Sequence, residues 1–120
     1  MFQDTQRDLR GHDFLPAPDL DIPRMYETEQ TPMPDKVVHL HYFAGGMDWW
    51  IVEYDPATGR AFGYTRDRDG TAWAYVDLLA LEQVRTRAGV IVERDVDWVP
   101  QTAAEARLPG NAVLEPQHEL

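Results

Sequence analysis

Apolar and polar residues alternate along the middle of this chain, from about residue 37 to residue 95. Within Val37–Phe43, the side chains of Val38, Leu40 and Tyr42 fall on one side of an extended backbone. Alternation with a period of two residues is typical of a β-strand. Further segments of this kind, separated by loops rich in Gly, Pro and Asp, are Trp49–Tyr54, Ala61–Thr65, Thr71–Val76 and Val90–Arg94. We therefore predict an antiparallel sheet of about five strands, the first four of which form a meander.

One main helix is predicted in this region. Asp77 is a suitable N-cap for the apolar run Leu78–Val84. Thr102 and Glu105 have the spacing of a capping box, which predicts a second, short helix. Because strand and helix patterns are segregated along the chain, the predicted fold class is α+β, with the main helix on one face of the sheet. We expect the core to include Val38, Leu40, Ile51, Val52, Phe62, Leu78, Leu81, Val90 and Val92.

The N-terminal part of the chain has a different composition. Residues 1–36 hold five of the nine prolines and show no sustained apolar period. We interpret them as an extended Pro-rich arm, with a short helix near Thr5–Arg10 and a docking segment at Ile22–Tyr26. The predicted organisation is an arm at residues 1–36, an α+β domain at residues 37–108 and a C-terminal tail at residues 109–120.

Composition excludes several classes of function. The 120 residues include no cysteine and no serine, which excludes disulfides, thiolate metal ligands and the common hydroxyl and thiol nucleophiles. The net charge of −10 disfavours direct binding to nucleic acid or to an anionic membrane surface. No signal or membrane-spanning pattern is evident, so a cytoplasmic location is expected, and no cofactor is predicted.

Two acidic pairs are the sharpest candidates for chemistry. Each pair lies on one face of its own predicted strand: Glu53 with Asp55, and Glu93 with Asp95. If the two strands were adjacent, four carboxylates would meet, and such a cluster could bind Mg²⁺ and activate water for hydrolysis. The alternative, which we favour, is that these carboxylates are solvated or form ion pairs, since aligned carboxylates repel each other.

Arg94 is predicted to have an architectural role. An arginine between two acids at a strand end is best fixed by a carboxylate from another strand, through two parallel hydrogen bonds. The candidate partners are Glu29, Glu53 and Asp55. We therefore expect a structural ion pair, with Arg94 and Glu29 as its first candidate members.

Four aromatic residues form a candidate binding surface. Trp49 and Trp50 are consecutive in a predicted strand, so their side chains point to opposite faces. One of them, with Tyr64 or Tyr75, would form an exposed aromatic patch suited to gripping a partner protein. The equally weighted alternative is that the helix covers one face of the sheet and the Pro-rich arm covers the other.

Two histidines of the first strand share a face. His39 and His41 have the i and i+2 spacing at which imidazoles converge in some metal sites. Two ligands do not make a site, and the other histidines lie near the chain ends. We therefore predict no metal site and expect half-exposed packing beside Phe43.

Several short motifs together resemble one bacterial family, the domain of unknown function 2958. In chain order they are Tyr26-Glu27-Thr28-Glu29, a strand ending in Tyr42-Phe43, Trp50-Ile51-Val52-Glu53-Tyr54-Asp55, Phe62-Gly63-Tyr64, Tyr75-Val76-Asp77-Leu78 and Glu93-Arg94-Asp95. The resemblance covers about Ile22 to Pro100. Ala44-Gly45-Gly46 departs from the proline-containing turn usual in the family, and Ala74 replaces a common glycine. The resemblance implies no activity, but it implies an accessory protein of plasmids, phages or integrated elements, in some cases near anti-restriction genes.

These observations leave three hypotheses of function. The first is a small, acidic, non-enzymatic accessory protein of a mobile element that binds a partner protein with a basic surface and counteracts host defence. The second is a divalent-metal-dependent hydrolase that uses the four clustered carboxylates. The third is an accessory domain with a purely structural role. We favour the first, because an acidic and aromatic surface remains once the nucleophiles are excluded.

Overall fold

The computed structural model describes residues 6–17 and 19–110, and a five-stranded antiparallel sheet forms its centre. In chain order the elements are α1 (Arg7–Arg10), a 3-10 helix (Met33–Asp35), β1 (Val37–Val38), β2 (Leu40–Ala44), β3 (Met47–Tyr54), β4 (Arg60–Asp67), β5 (Gly70–Asp77), α2 (Leu78–Gln83), β6 (Glu93–Arg94), β7 (Gln101–Thr102) and α3 (Ala103–Ala106). The strand order in the sheet is β5-β4-β3-β2-β6, and β1 pairs with β7 in a separate two-stranded sheet. The α+β class and the antiparallel sheet are confirmed.

The helices are short. The longest helix among the described residues, α2, has six residues, and the Asp77 carboxylate caps it by accepting hydrogen bonds from the backbone N–H groups of Leu79 and Ala80 at 3.0 and 3.2 Å. The predicted capping box is present at the start of α3, between Thr102 and Glu105. None of the described helices has the length and apolar character needed to cross a membrane.

The N-terminal segment is a series of turns with two short helical pieces. Helix α1 lies where the sequence predicts one, although Thr5 itself is outside the described residues. The segment is anchored by Phe14 and Ile22, which are 0% and 2% exposed and belong to the largest apolar cluster. Of the predicted C-terminal tail, residues 111–120 also lie outside the described part of the chain.

The fifth strand differs from its prediction. It was expected at Val90–Arg94, but only Glu93 and Arg94 pair with β2, opposite Phe43 and Tyr42. Val90 instead lies in a tight turn in which the Thr86 N–H donates to the Val90 carbonyl oxygen at 2.9 Å. Its side chain is 39% exposed, so its assignment to the core was wrong. The other eight predicted core residues are buried or partly buried.

Both faces of the sheet are covered. The N-terminal segment and α2 pack on one face, where Tyr42 and Ile51 are fully buried. On the other face, Trp98 and Leu108 pack against a smaller cluster around Trp50. The register of β3 and β4 shifts between Ile51 and Glu53, which is a β-bulge. Gly63 lies opposite this bulge, and a Cβ atom there would collide with the Trp50 carbonyl oxygen.

Candidate functional site

The candidate acidic cluster does not form. Glu53 lies on β3 and Glu93 on β6, and β2 runs between these two strands. Phe43 of β2 pairs with both Glu93 and Asp48, so Glu93 is level with the start of β3 and Glu53 is near its end. Among the residues that the structure describes, no group of three or more His, Asp or Glu side chains could hold a metal ion.

Glu53 holds the N-terminal segment against the sheet instead. Its side chain is buried, and its carboxylate accepts hydrogen bonds from the backbone N–H groups of Tyr26 and Thr28 at 2.9 and 3.0 Å and from the Thr28 hydroxyl.

Asp55 has a local role, since it accepts from the Ala57 N–H at 2.9 Å and from the Thr58 hydroxyl at 3.1 Å. Both carboxylates of this pair are therefore structural acceptors.

The predicted ion pair between Arg94 and Glu29 is also wrong. The Arg94 Nη1 donates to the Leu15 carbonyl oxygen at 3.4 Å, and no described residue accepts a hydrogen bond from the buried Nε. No ion pair within 4.0 Å among the described residues includes Arg94. The reason is topological. Glu29 belongs to the turn held by Glu53, whereas Arg94 lies on the far side of β2 beneath the N-terminal segment.

The sequence pattern did not indicate the role of His41. Its Nδ1 lies 3.0 Å from the Asp95 Oδ2, and its Nε2 lies 2.8 Å from the Asp48 Oδ1. Asp48 also accepts from the Arg66 Nε at 2.8 Å. The ring is parallel to that of Trp50, with centroids 5.3 Å apart. Both ring nitrogens face carboxylates, so neither is left to act as a general base. The His41, Asp48 and Asp95 side chains together link the end of β6 to β3 in the centre of the sheet.

The predicted aromatic surface is mostly buried. Trp50 and Tyr64 are 7% and 2% exposed, and the Tyr64 hydroxyl donates to the Pro109 carbonyl oxygen at 2.6 Å. Trp49 is partly buried against the larger apolar cluster. Only Tyr75 is well exposed, at 51%, and it is joined by Tyr26, which is equally exposed and was not among the predicted four.

Tyr26 and Tyr75 form the wall of a groove that we call the tyrosine groove. Its volume is about 630 Å³, and it is lined by Met25, Tyr26, Asp55, Thr58, Arg60, Tyr75, Val76 and Asp77. The two tyrosine rings meet edge to face with centroids 6.2 Å apart. The Arg60 guanidinium carbon lies 4.7 Å from the centre of the Tyr75 ring. A hydrogen bond with the Tyr26 side chain, the largest cause, raises the pKa of the Tyr75 hydroxyl.

The backbone at Tyr26 is strained. Its φ angle is +71°, in the left-handed region that a bulky side chain rarely adopts. Such a conformation costs on the order of 1–3 kcal/mol and persists only where surrounding contacts enforce it. Here the enforcing contact is the buried Glu53 carboxylate on the Tyr26 N–H. A buried charge and a strained residue thus present an exposed aromatic ring, which is a pattern typical of functional surfaces.

The groove offers several contact groups. Among its described lining residues, the one aliphatic hydroxyl, that of Thr58, donates to Asp55, and none is a histidine. Two tyrosines, an arginine and two aspartates supply aromatic contact area and hydrogen-bonding groups. Comparisons with protein-family models, with curated proteins and with solved structures find no match to this chain. The argument about function therefore rests on the groove.

Proposed function

We propose that this chain is a small, acidic, non-enzymatic accessory protein that acts by binding another protein through the tyrosine groove. One observation carries the proposal. Tyr26 and Tyr75 are each half exposed and adjacent, and the strained backbone of Tyr26 is held in place by the buried Glu53. Tyr and Arg are the residue types that most often dominate the binding energy of protein interfaces, and Arg60 completes that set here.

The partner is expected to present a basic surface. The net charge of the chain is −10, and the described residues that line the groove include two anions, Asp55 and Asp77, and one cation, Arg60. Opposite charge accelerates encounter and selects partners, and this contribution is screened by salt. Direct binding of nucleic acid and of anionic membranes is disfavoured by the same charge.

The biological setting belongs to the same proposal. The motifs that resemble the domain of unknown function 2958 contain Tyr26, Glu53 and Tyr75, the residues that build the groove. Membership of that family would imply an accessory protein of a plasmid, phage or integrated element. A cytoplasmic location and a role in counteracting host defence are further parts of the proposal. The absence of cysteine is compatible with a reducing compartment.

The two alternative functions have less support. A metal-dependent hydrolase would need converging carboxylates, and Glu53 and Glu93 lie on strands separated by β2. A purely structural domain would not need an exposed aromatic pair held by a strained backbone. A capture experiment and a cleavage assay together separate all three.

The test is capture of protein from a bacterial lysate by the tagged full chain, compared with matched variants. Tyr75→Ala should reduce the captured partner at least about tenfold, because a central aromatic contact contributes 2 kcal/mol or more to binding. The control is Phe43→Ala, which removes another ring that is 39% exposed but lies on β2, outside the groove. Capture by wild type and Phe43→Ala but not by Tyr75→Ala supports the proposal.

Equal capture by all three proteins, or no stoichiometric capture, contradicts it. Raising the salt concentration from about 50 to about 300 mM should weaken capture, since the Debye length falls below about 10 Å in that range. Mg²⁺-dependent cleavage of a substrate by the purified chain, lost in Glu93→Gln, would favour the hydrolase.

A further inference from the structure

The five tyrosines of this chain differ in their access to solvent. All five lie in the described part of the chain, where Tyr42, Tyr54 and Tyr64 are buried and Tyr26 and Tyr75 are each 51% exposed. An oxidant in solution therefore reaches the phenols of Tyr26 and Tyr75 before those of the other three. The sequence contains no cysteine, so it supplies no thiol that would consume the oxidant first.

The two exposed tyrosines are in contact with each other. Their rings meet edge to face with centroids 6.2 Å apart, and their side chains share a hydrogen bond. In an edge-to-face pair, the edge carbons of one ring lie beside the other ring. Two phenoxyl radicals couple through the ring carbons next to the hydroxyl-bearing carbon. Because the hydroxyl groups are the atoms that share the hydrogen bond, these ortho carbons lie at the contact between the rings.

Separate parts of the fold hold the two rings in this contact. The buried Glu53 carboxylate accepts from the Tyr26 N–H at 2.9 Å and fixes the strained turn. Tyr75 pairs with Phe62 of β4, with ring centroids 5.3 Å apart, and the Arg60 guanidinium lies over its face. Groups held in contact react at a high effective concentration. Coupling between two chains is disfavoured, because each chain carries ten net negative charges.

We infer that Tyr26 and Tyr75 are a site of oxidative modification, at which a haem peroxidase and hydrogen peroxide join the two rings as dityrosine. Each phenol loses one electron and its hydroxyl proton and becomes a phenoxyl radical. The two radicals form a carbon–carbon bond between their ortho carbons, and the hydrogen on each of these carbons moves to the oxygen, which restores both phenols. Hydrogen peroxide takes up the two electrons and two protons and becomes two molecules of water.

The cross-link fastens the N-terminal segment to β5 with a covalent bond, in addition to the hydrogen bonds that Glu53 accepts from this segment. A bond between positions far apart in the sequence restricts the unfolded chain and so stabilises the folded one. The melting midpoint of the cross-linked chain should therefore rise. This inference goes beyond the proposed function and does not depend on it, since it requires no partner protein.

The test is treatment of the full chain at low concentration with a haem peroxidase and hydrogen peroxide. The product should show dityrosine fluorescence, a mass lower by two hydrogen atoms, and the size of a monomer under denaturing conditions. Trypsin cleaves after lysine and arginine, so the peptides Met25–Lys36 and Asp69–Arg85 should be recovered as one cross-linked species.

Matched variants locate the reaction. Tyr75→Phe keeps the ring but cannot form a phenoxyl radical, so it should lower the yield of dityrosine at least about tenfold. Tyr26→Phe should have the same effect. The control is Tyr54→Phe, which removes the phenol of a buried tyrosine outside the pair and should leave the yield unchanged.

Three results would overturn the inference. The first is a wild-type chain without dityrosine in a reaction in which added free tyrosine couples. The second is an equal yield of dityrosine in wild type, Tyr26→Phe and Tyr75→Phe. The third is a cross-linked dimer as the main product, with a yield that rises with the concentration of the chain. None of these results bears on the capture of a partner protein, so the proposed function is tested separately.

Discussion

The two edges of the central sheet are built in opposite ways. The β6 edge is two residues long and lies under the N-terminal segment, where the Arg10 Nε donates to the Val92 carbonyl oxygen at 2.8 Å and the Arg94 N–H donates to the His12 Nε2 at 3.3 Å. The β5 edge is eight residues long and ends beside an exposed aromatic groove. The same chain thus covers one edge with side chains from a distant segment and has an exposed aromatic groove beside the other.

The difference teaches that this chain places a buried ion pair beside one edge of the sheet and exposed aromatic rings beside the other. At β6, the Arg10 and Glu82 side chains are 0% and 4% exposed and form an ion pair at 3.3 Å. Burying such a pair has a large desolvation cost, which is offset only by well-formed hydrogen bonds. Stability is therefore the expected role of the β6 edge, and under the proposed function binding is the expected role of the tyrosine groove beside β5. The following variants test that division.

The largest loss of stability is expected from a variant at the β6 edge. Arg10→Ala should lower the free energy of unfolding by about 3–5 kcal/mol, because it leaves the Glu82 carboxylate buried without this charged partner. Arg7→Ala is the control, since its ion pair with Asp13 joins side chains that are 50% and 76% exposed. That control should cost less than about 1 kcal/mol. Urea denaturation measures both, and similar losses would show that the pair does not stabilise the edge.

A smaller loss of stability is expected for a variant of Glu53, which anchors the tyrosine groove. Glu53→Gln keeps one acceptor oxygen but loses the charge that binds Tyr26 and Thr28, so unfolding should become easier by about 1–3 kcal/mol. Exchange of the Tyr26 amide proton should accelerate. The exposed Glu29 provides the control variant Glu29→Gln. If both variants unfold at the same urea concentration, Glu53 is not the anchor.

Aromatic residues of the groove and of the core should differ in how much they contribute to the free energy of unfolding. Tyr75→Ala should change the free energy of unfolding by less than about 1 kcal/mol, because the ring is half exposed. Tyr42→Ala removes a fully buried ring whose hydroxyl donates to the Phe14 carbonyl oxygen at 2.7 Å, and should cost about 3–5 kcal/mol. Tyr75→Ala matching Tyr42→Ala in the same denaturation assay would make the groove part of the core.

The smallest effect concerns pH. Burial lowers the pKa of His39, and nearby Asp21 opposes the shift. The unfolded chain then binds more protons at this site below about pH 6.5, so His39 reduces stability as the pH falls through that value. The melting midpoint of wild type should drop slightly more between about pH 7.5 and 5.5 than that of His39→Gln. A larger drop in His39→Gln would show that His39 stabilises the folded chain as the pH falls, contrary to this prediction.

The local features of the fold were predictable from the sequence. The alternation of residues and the turn formers indicated β2, β3, β4 and β5, and the caps at Asp77 and Thr102 were identified from spacing alone. These features depend on contacts within about four residues, so neighbouring side chains suffice to specify them. The shortened β6 was missed because an apolar run does not show how much of it finds a partner strand.

The site was decided by the tertiary structure. Glu53 and Tyr26 are 27 positions apart, and His41 and Asp95 are 54 apart, so no local pattern could pair them. Strand order placed β2 between Glu53 and Glu93 and thereby removed the predicted cluster. The sequence determined which residues could serve as strands, caps, aromatic contacts and charges. Only the packing of distant segments decided which of them meet, because that choice depends on the surface and charge buried by the whole fold.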